Sequence, residues 1–191
     1  MSLVRAFLAI PLPRALQQAV SCLQRDLHLQ VPGVRWTRSD NLHLTLHFFG
    51  ETQQETLEKI KVSMLSVKGC EQAFSLEVKG LGAFPSRRRP RVIWLDLEPK
   101  EQLRRLHGDC LKALHAAGVA TESRPYAPHL TIGRMRQQQP DLTGLCNSLA
   151  QITLGHLRVD RLVLFESRLH PAGAEHIPLL TVNFDEQNCK A

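Results

Sequence analysis

Two short segments of the chain carry one polar pattern on one apolar scaffold: Asn41-Leu42-His43-Leu44-Thr45-Leu46-His47-Phe48 and Pro128-His129-Leu130-Thr131-Ile132-Gly133. Each holds a histidine, an apolar residue, a threonine and a second apolar residue. In a β-strand successive side chains point to opposite faces, so His43 and Thr45 share one face, and His129 and Thr131 share another. The same alternation predicts that Leu42, Leu44, Leu46 and Phe48 enter the core. Two strand rises separate histidine from threonine by roughly 6.6 Å, a reach that suits gripping one small tetrahedral group. An imidazole with an ordinary pKa of about 6.5 accepts or donates a proton near neutral pH, so two of them supply both an acid and a base. A threonine hydroxyl adds a hydrogen-bond donor for developing charge.

The plain alternative for each histidine is a satisfied structural side chain. Two His-x-Thr triplets in 191 residues decide little by count. The weight lies in the strict apolar alternation around both copies, the proline before the second, and their placement in the two halves of the chain. His28, His107, His115, His156, His170 and His176 have no such paired context. A metal reading would gather His43, His47 and His129 around zinc. Four strand residues, however, spread His43 and His47 by about 13 Å, too far for one ion.

The elements that must carry these residues follow from periodicity. Val4 to Ile10 reads as a strand with Val4, Ala6 and Leu8 on one face and Arg5, Phe7 and Ala9 on the other. Pro13 suits the first turn of a helix bearing Leu16, Val20, Leu23 and Leu27. A Pro32-Gly33 turn precedes the His43 strand. A helix is predicted from about Glu55 to Val67 with Thr52 as its cap. Phe74 to Lys79 and Val92 to Leu97 read as strands joined by a Gly/Pro/Arg-rich loop. Pro99 opens a helix carrying Leu103, Leu106, Cys110 and Leu114, and Gly118 ends it. Pro125-Tyr126-Ala127-Pro128 leads into the second motif, Gln137 to Pro140 reads as a loop, and a shorter helix follows. Leu157 to Glu166 and Ile177 to Phe184 are the last strands, separated by a Pro171-Ala172-Gly173 turn. This mixture points to an α+β fold of two similar lobes, read as one domain over residues 1–191. No Gly-x-Gly-x-x-Gly or Walker sequence opens any helix.

Composition narrows the classes further. A chain of 191 residues supports a sizeable core. No apolar run approaches the roughly 20 residues of a membrane span, and the start lacks the pattern of a secretory signal, so a cytoplasmic protein without a membrane partner is expected. Cys22, Cys70, Cys110, Cys146 and Cys189 are odd in number and scattered, which predicts reduced thiols rather than a disulfide frame or thiolate metal site. The net charge is +6, and Arg87, Arg88, Arg89 and Arg91 form the densest basic cluster. Two readings stand for it: a solvated surface, or a rim that attracts phosphate.

With these residues in view, the chain resembles the 2H phosphoesterase superfamily, named for two His-x-Thr-x motifs facing each other across a cleft. Within it the chain is similar to the bacterial RNA 2′,3′-cyclic phosphodiesterases once called 2′-5′ RNA ligases. The resemblance runs through Arg5-Ala6-Phe7, Gly33-Val34-Arg35-Trp36, both motifs, Gly50 and Glu51, Gly80 to Pro85, Arg89 to Trp94, Arg134, and Leu164-Phe165-Glu166-Ser167. His47 departs from it, since relatives are expected to carry a lysine or another long polar residue there.

The resemblance implies two lobes related by a pseudo-twofold axis, each an antiparallel sheet with helices outside, around a central cleft. It implies no metal and no nucleotide cofactor, and a reaction that opens a terminal RNA 2′,3′-cyclic phosphate to a 2′-phosphomonoester. Carried over, His129 is the proton acceptor, His43 the proton donor, and Thr45 and Thr131 hold the non-bridging oxygens. Strict alternation places Arg134 on the face opposite His129, so only a bulge would bring it to the phosphate. Phe7, Trp36, Phe48 and Tyr126 are candidates to stack on a nucleobase, with core packing as the plainer reading for Phe48. The expected partners are RNA ends with 2′,3′-cyclic phosphates, among them tRNA fragments, acted on by a monomer. The competing functions are 2′-5′ ligation of tRNA halves and a module that binds RNA ends without turning them over.

Overall fold

The computed structural model describes residues 3–67, 72–121, 125–136, 141–171 and 173–184. The fold opens with strand β1 (Leu3–Pro11), helix α1 (Arg14–Gln30), the short β2 (Val34–Trp36) and a 3-10 turn (Ser39–Asn41). These lead to β3 (His43–Gln53), α2 (Gln54–Val67), β4 (Phe74–Ser86), β5 (Arg89–Glu98) and α3 (Lys100–Ala116). The chain closes with β6 (Leu130–Met135), α4 (Thr143–Ser148), β7 (Thr153–Val159), β8 (Arg161–His170) and β9 (Gly173–Asn183).

The strands form two antiparallel sheets with related orders. The first runs β3-β1-β8-β9 and the second β2-β6-β5-β4-β7, so β6, β5, β4 and β7 repeat the places of β3, β1, β8 and β9. The two motif strands thereby occupy equivalent positions, which is the α+β architecture of two similar lobes that the pattern predicted, with the pseudo-symmetry that the resemblance implied. Helices α1, α2 and α3 bury their periodic apolar stripes, Leu16, Val20, Leu23 and Leu27 on α1 and Leu103, Leu106, Cys110 and Leu114 on α3. Buried side chains from both sheets and all the helices join one core cluster. Burial of this apolar surface, at about 25 cal/mol per Å², is the main force holding the lobes together.

Each motif strand carries a β-bulge directly after its threonine. Opposite β1, Leu8 pairs with His47 and Ala9 with Thr45, leaving Leu46 unpaired. Opposite β5, Ile93 pairs with Gly133 and Trp94 with Thr131, leaving Ile132 unpaired. A bulge inserts one residue, twists the strand and changes which face the following side chains take. The first bulge corrects the expected core set. His47 turns inward and is 8% exposed, whereas Phe48 is 43% exposed and lies under the Arg5 guanidinium at 4.8 Å.

Other expectations shift for local reasons. Thr52 does not cap α2, because β3 continues to Gln53 and the Thr52 hydroxyl donates to the Gly50 carbonyl. The loop between the central strands is mostly strand: β4 and β5 pair out to Ser86 and Arg89, with Gly80 at φ +55° beside a bulge. The run from Leu157 to Glu166 is broken at Asp160 into β7 and β8, which lie in different sheets. Gln137 to Pro140, Ala172 of the predicted turn, Cys70 and Cys189 lie outside the described residues; among the described residues Cys22, Cys110 and Cys146 form no disulfide.

Candidate active site

The two histidines sit in matching seats. His43 Nδ1 bonds the carbonyl of Asn41 at 2.8 Å, and His129 Nδ1 bonds the carbonyl of Ala127 at 2.7 Å, each two residues back along the chain. A carbonyl only accepts, so both Nδ1 atoms carry the proton and both Nε2 atoms are left for chemistry. Behind each imidazole lies a pair of aromatic rings from the neighbouring strands. Phe7 packs on His43 at 4.7 Å and on Phe165 at 5.3 Å. Phe84 meets His129 edge-on at 5.0 Å and packs on Trp94 at 5.0 Å.

The lobes bring these seats together. Strands β3 and β6, from different sheets, approach within 8 Å between Cα atoms. The Tyr126 hydroxyl donates to the Thr45 carbonyl at 3.1 Å, tying the approach to the second motif onto the first. A cavity of about 600 Å³ is lined by His43, Thr45, Thr131, Arg134 and His176, together with Arg35, Trp36 and Arg38. A neighbouring cavity of about 250 Å³ holds His129, Tyr126, His47 and His107, and Thr45 belongs to both. The volume of the larger cavity falls within the range of small-ligand sites.

Burial pushes the His43 imidazole down to about 4; the neighbouring His176 pushes the same way, and the hydrogen bond to Asn41 opposes. His129 is also lowered, first by burial, with the Ala127 hydrogen bond opposing and the Arg134 charge adding to the fall. Both shifts favour the neutral form of the imidazole near pH 7. A bound phosphate anion favours the charged form and drives these values back up.

Arg134 reaches the cavity through the bulge at Ile132, which reverses the face that strict alternation gives it. It stands directly opposite Arg35 across β2 and β6, and neither guanidinium has an ion-pair partner among the described residues. Like charges facing each other across strands are unfavourable unless an anion joins them. The cluster at Arg87 to Arg91 lies instead at the tip of the β4–β5 hairpin, where Arg87 bonds Asn147 and Arg88 faces Asp141. The cations of the cleft are Arg35, Arg38 and Arg134.

Phe7 is 3% exposed, surrounded by His43, Phe165 and His176, so it has no face free for a base. Its strand β1 is the inner neighbour of β3 and is covered on both sides, which alternation along one strand does not reveal. Tyr126 stacks on His107 at 4.2 Å and bridges the lobes through its hydroxyl, so it too is engaged by protein. Sequence reasoning missed Phe165, Phe84, Trp94 and His176, which reach the site from strands far away in the chain.

A family model described as LigT-like phosphoesterase matches residues 10–94 and 95–175, one motif in each segment. The chain belongs to the LigT-like phosphoesterase family. Among its relatives, an RNA 2′,3′-cyclic phosphodiesterase of Methanothermobacter thermautotrophicus is 34% identical over 175 residues, 89% of this chain and 93% of that one. Another of the same name from Thermotoga maritima is 28% identical and covers 95% and 96% of the two chains. A solved structure from Thermus thermophilus shares the fold with a TM-score of 0.80 at 24% identity, over 96% of this phosphoesterase and 99% of that chain. Escherichia coli LigT, solved with 3′-AMP, has a TM-score of 0.74 at 23% identity over the same shares. No helix among the described residues of this phosphoesterase is long and apolar enough to cross a membrane.

Proposed function

We propose that this phosphoesterase hydrolyses the 2′,3′-cyclic phosphate at RNA ends to a 2′-phosphomonoester without a metal ion, using its two His-x-Thr motifs. The observation that carries the reading is the repeated seat: an imidazole oriented by the carbonyl two residues back, followed by a threonine and a bulge, on equivalent strands of two sheets. The relatives named RNA 2′,3′-cyclic phosphodiesterase support RNA as the substrate class, and Arg35 and Arg134, without ion-pair partners among the described residues, suit a polyanion.

In this mechanism water attacks phosphorus in line with the bond to the ribose O3′. Nε2 of His129 takes the proton of the water as the new P–O bond forms. Nε2–H of His43, charged once the anionic phosphate is bound, gives its proton to O3′ as that bond breaks. Each such proton transfer contributes roughly 10²–10⁴-fold. The hydroxyls of Thr45 and Thr131 donate to the non-bridging oxygens, where charge builds in the five-coordinate species; one well-placed donor of this kind is worth on the order of 3 kcal/mol.

The test is product analysis on a short RNA with a 2′,3′-cyclic phosphate end, incubated with chelator. Turnover to a 2′-phosphate is the expected outcome. A 3′-phosphate product, turnover that needs added zinc, or joining to a 5′-hydroxyl RNA in place of hydrolysis would each overturn the reading, the last in favour of ligation, and tight binding without turnover would favour an end-binding module.

A further inference from the structure

The two histidine seats match in backbone bond, aromatic support and bulge, but only the first has a second imidazole packed on it among the described residues. His176, on β9 opposite Ser167, sets its ring edge-on to His43 at 5.1 Å and edge-on to Phe7 at 4.9 Å. Phe165 flanks the same ring at 6.2 Å. Three aromatic neighbours thus fix its orientation, while neither of its ring nitrogens has a hydrogen-bond partner among the described residues. A phenylalanine would fill the apolar side of such a seat equally well, whereas the half-buried imidazole also presents ring nitrogens able to bond a ligand in the cavity. His176 nevertheless lines the same cavity as His43, Thr45 and Thr131, where an oxyanion is to be held.

We infer that His176 is a third ligand-binding side chain of this cleft, donating an N–H to a phosphoryl oxygen beside the two threonine hydroxyls. The inference rests on the phosphoesterase reading above and extends it to a residue outside both motifs. Either neutral tautomer of imidazole has one N–H, so the contact needs no proton transfer. The titratable groups that act on the ring are His43 on β3, edge-on at 5.1 Å, and Asp40 on the 3-10 turn. Asp40 is itself bound to Arg38. An incoming phosphate therefore meets an available donor. Because the contact is made to substrate and product alike, it acts on binding more than on the chemical step.

Two variants separate donation from packing. H176F keeps the ring against Phe7 and His43 but has no N–H, whereas H176N keeps a donor and gives up the ring. With an RNA 2′,3′-cyclic phosphate as substrate, H176F is expected to raise KM about 10–100-fold, the range of a hydrogen bond to a charged group, with kcat changed far less. The affinity for a nucleoside 2′-monophosphate, measured by calorimetry, should fall by a similar factor, and H176N should recover part of both. An H176F protein that binds and turns over like the parent, or that loses kcat alone, overturns the inference. If the parent binds the nucleotide, H176F binds it weakly and neither turns over the cyclic phosphate, the hydrolase reading fails and the His176 assignment stands. Should H176F not fold, NMR of the parent decides: a shift of the His176 ring resonances on adding the nucleotide supports the contact, and their constancy contradicts it.

Discussion

His43 illustrates how a side chain gains its chemistry from what surrounds it. Burial against Phe7 and beside His176 holds it neutral, with its value lowered to about 4. The unfolded chain titrates near 6.5, so between those two pH values the unfolded state binds the extra proton and stability falls as pH drops. The gap corresponds to on the order of 3 kcal/mol, present above pH 6.5 and gone below about 4. Urea unfolding of the parent and of H43F across pH 4 to 7 should show a shallower pH dependence in the variant by about that amount, and equal slopes would contradict the account. The residue types at this scale were legible: the histidines and threonines stand out because each sits on an alternating apolar scaffold. Phe7 was not, since its burial depends on Phe165 and His176, about 160 residues further along the chain.

Strands β3 and β6 show what periodicity can and cannot specify. Alternation located both strands and paired His43 with Thr45 and His129 with Thr131, yet it gave the wrong face to Phe48 and to Arg134. Both errors begin at a bulge, Leu46 in one strand and Ile132 in the other. A bulge is a property of the pairing between strands and leaves no mark in the residue pattern of one of them. The bulge in β6 is fixed by its surroundings: the Ile132 carbonyl accepts from Thr37 N at 2.9 Å and from Gln24 Nε2 at 2.9 Å. Next to it, Gly133 leaves room for the neighbouring strand, since a Cβ there would meet Val34 Cγ1 at 2.7 Å and the Trp36 ring at 2.9 Å. Trp36 is held in turn by its Nε1–H donating to His28 Nδ1. Gly133→Ala should therefore cost about 1–3 kcal/mol by overpacking and disturb the cleft wall. Gly108→Ala, in the middle of α3 with nothing within 4 Å, should be stabilising by about 0.5–1 kcal/mol. Chemical denaturation of the pair checks the opposite signs.

Across the whole molecule, two sheets of related strand order bring two equivalent strands near each other, and two neighbouring cavities that share Thr45 hold His43 with Thr131 in one and His129 in the other. Two similar lobes were readable from the repeated motif and the recurring elements, and their pseudo-twofold relation followed from the family resemblance. The departures from it were not readable: β2 added at the edge of one sheet, and His176 brought by β9 against His43 with no counterpart at His129 among the described residues. The strongest claim at this scale is that the two imidazoles work on one phosphorus as an acid-base unit. It is tested most directly by single-turnover hydrolysis of an RNA 2′,3′-cyclic phosphate by the parent, H43A, H129A and the double variant, with folding of each checked by thermal melting. The account predicts that either single substitution lowers the rate by roughly 10²–10⁴-fold and that the double variant is much less impaired than the product of the two losses. Full activity in either folded single variant would contradict it.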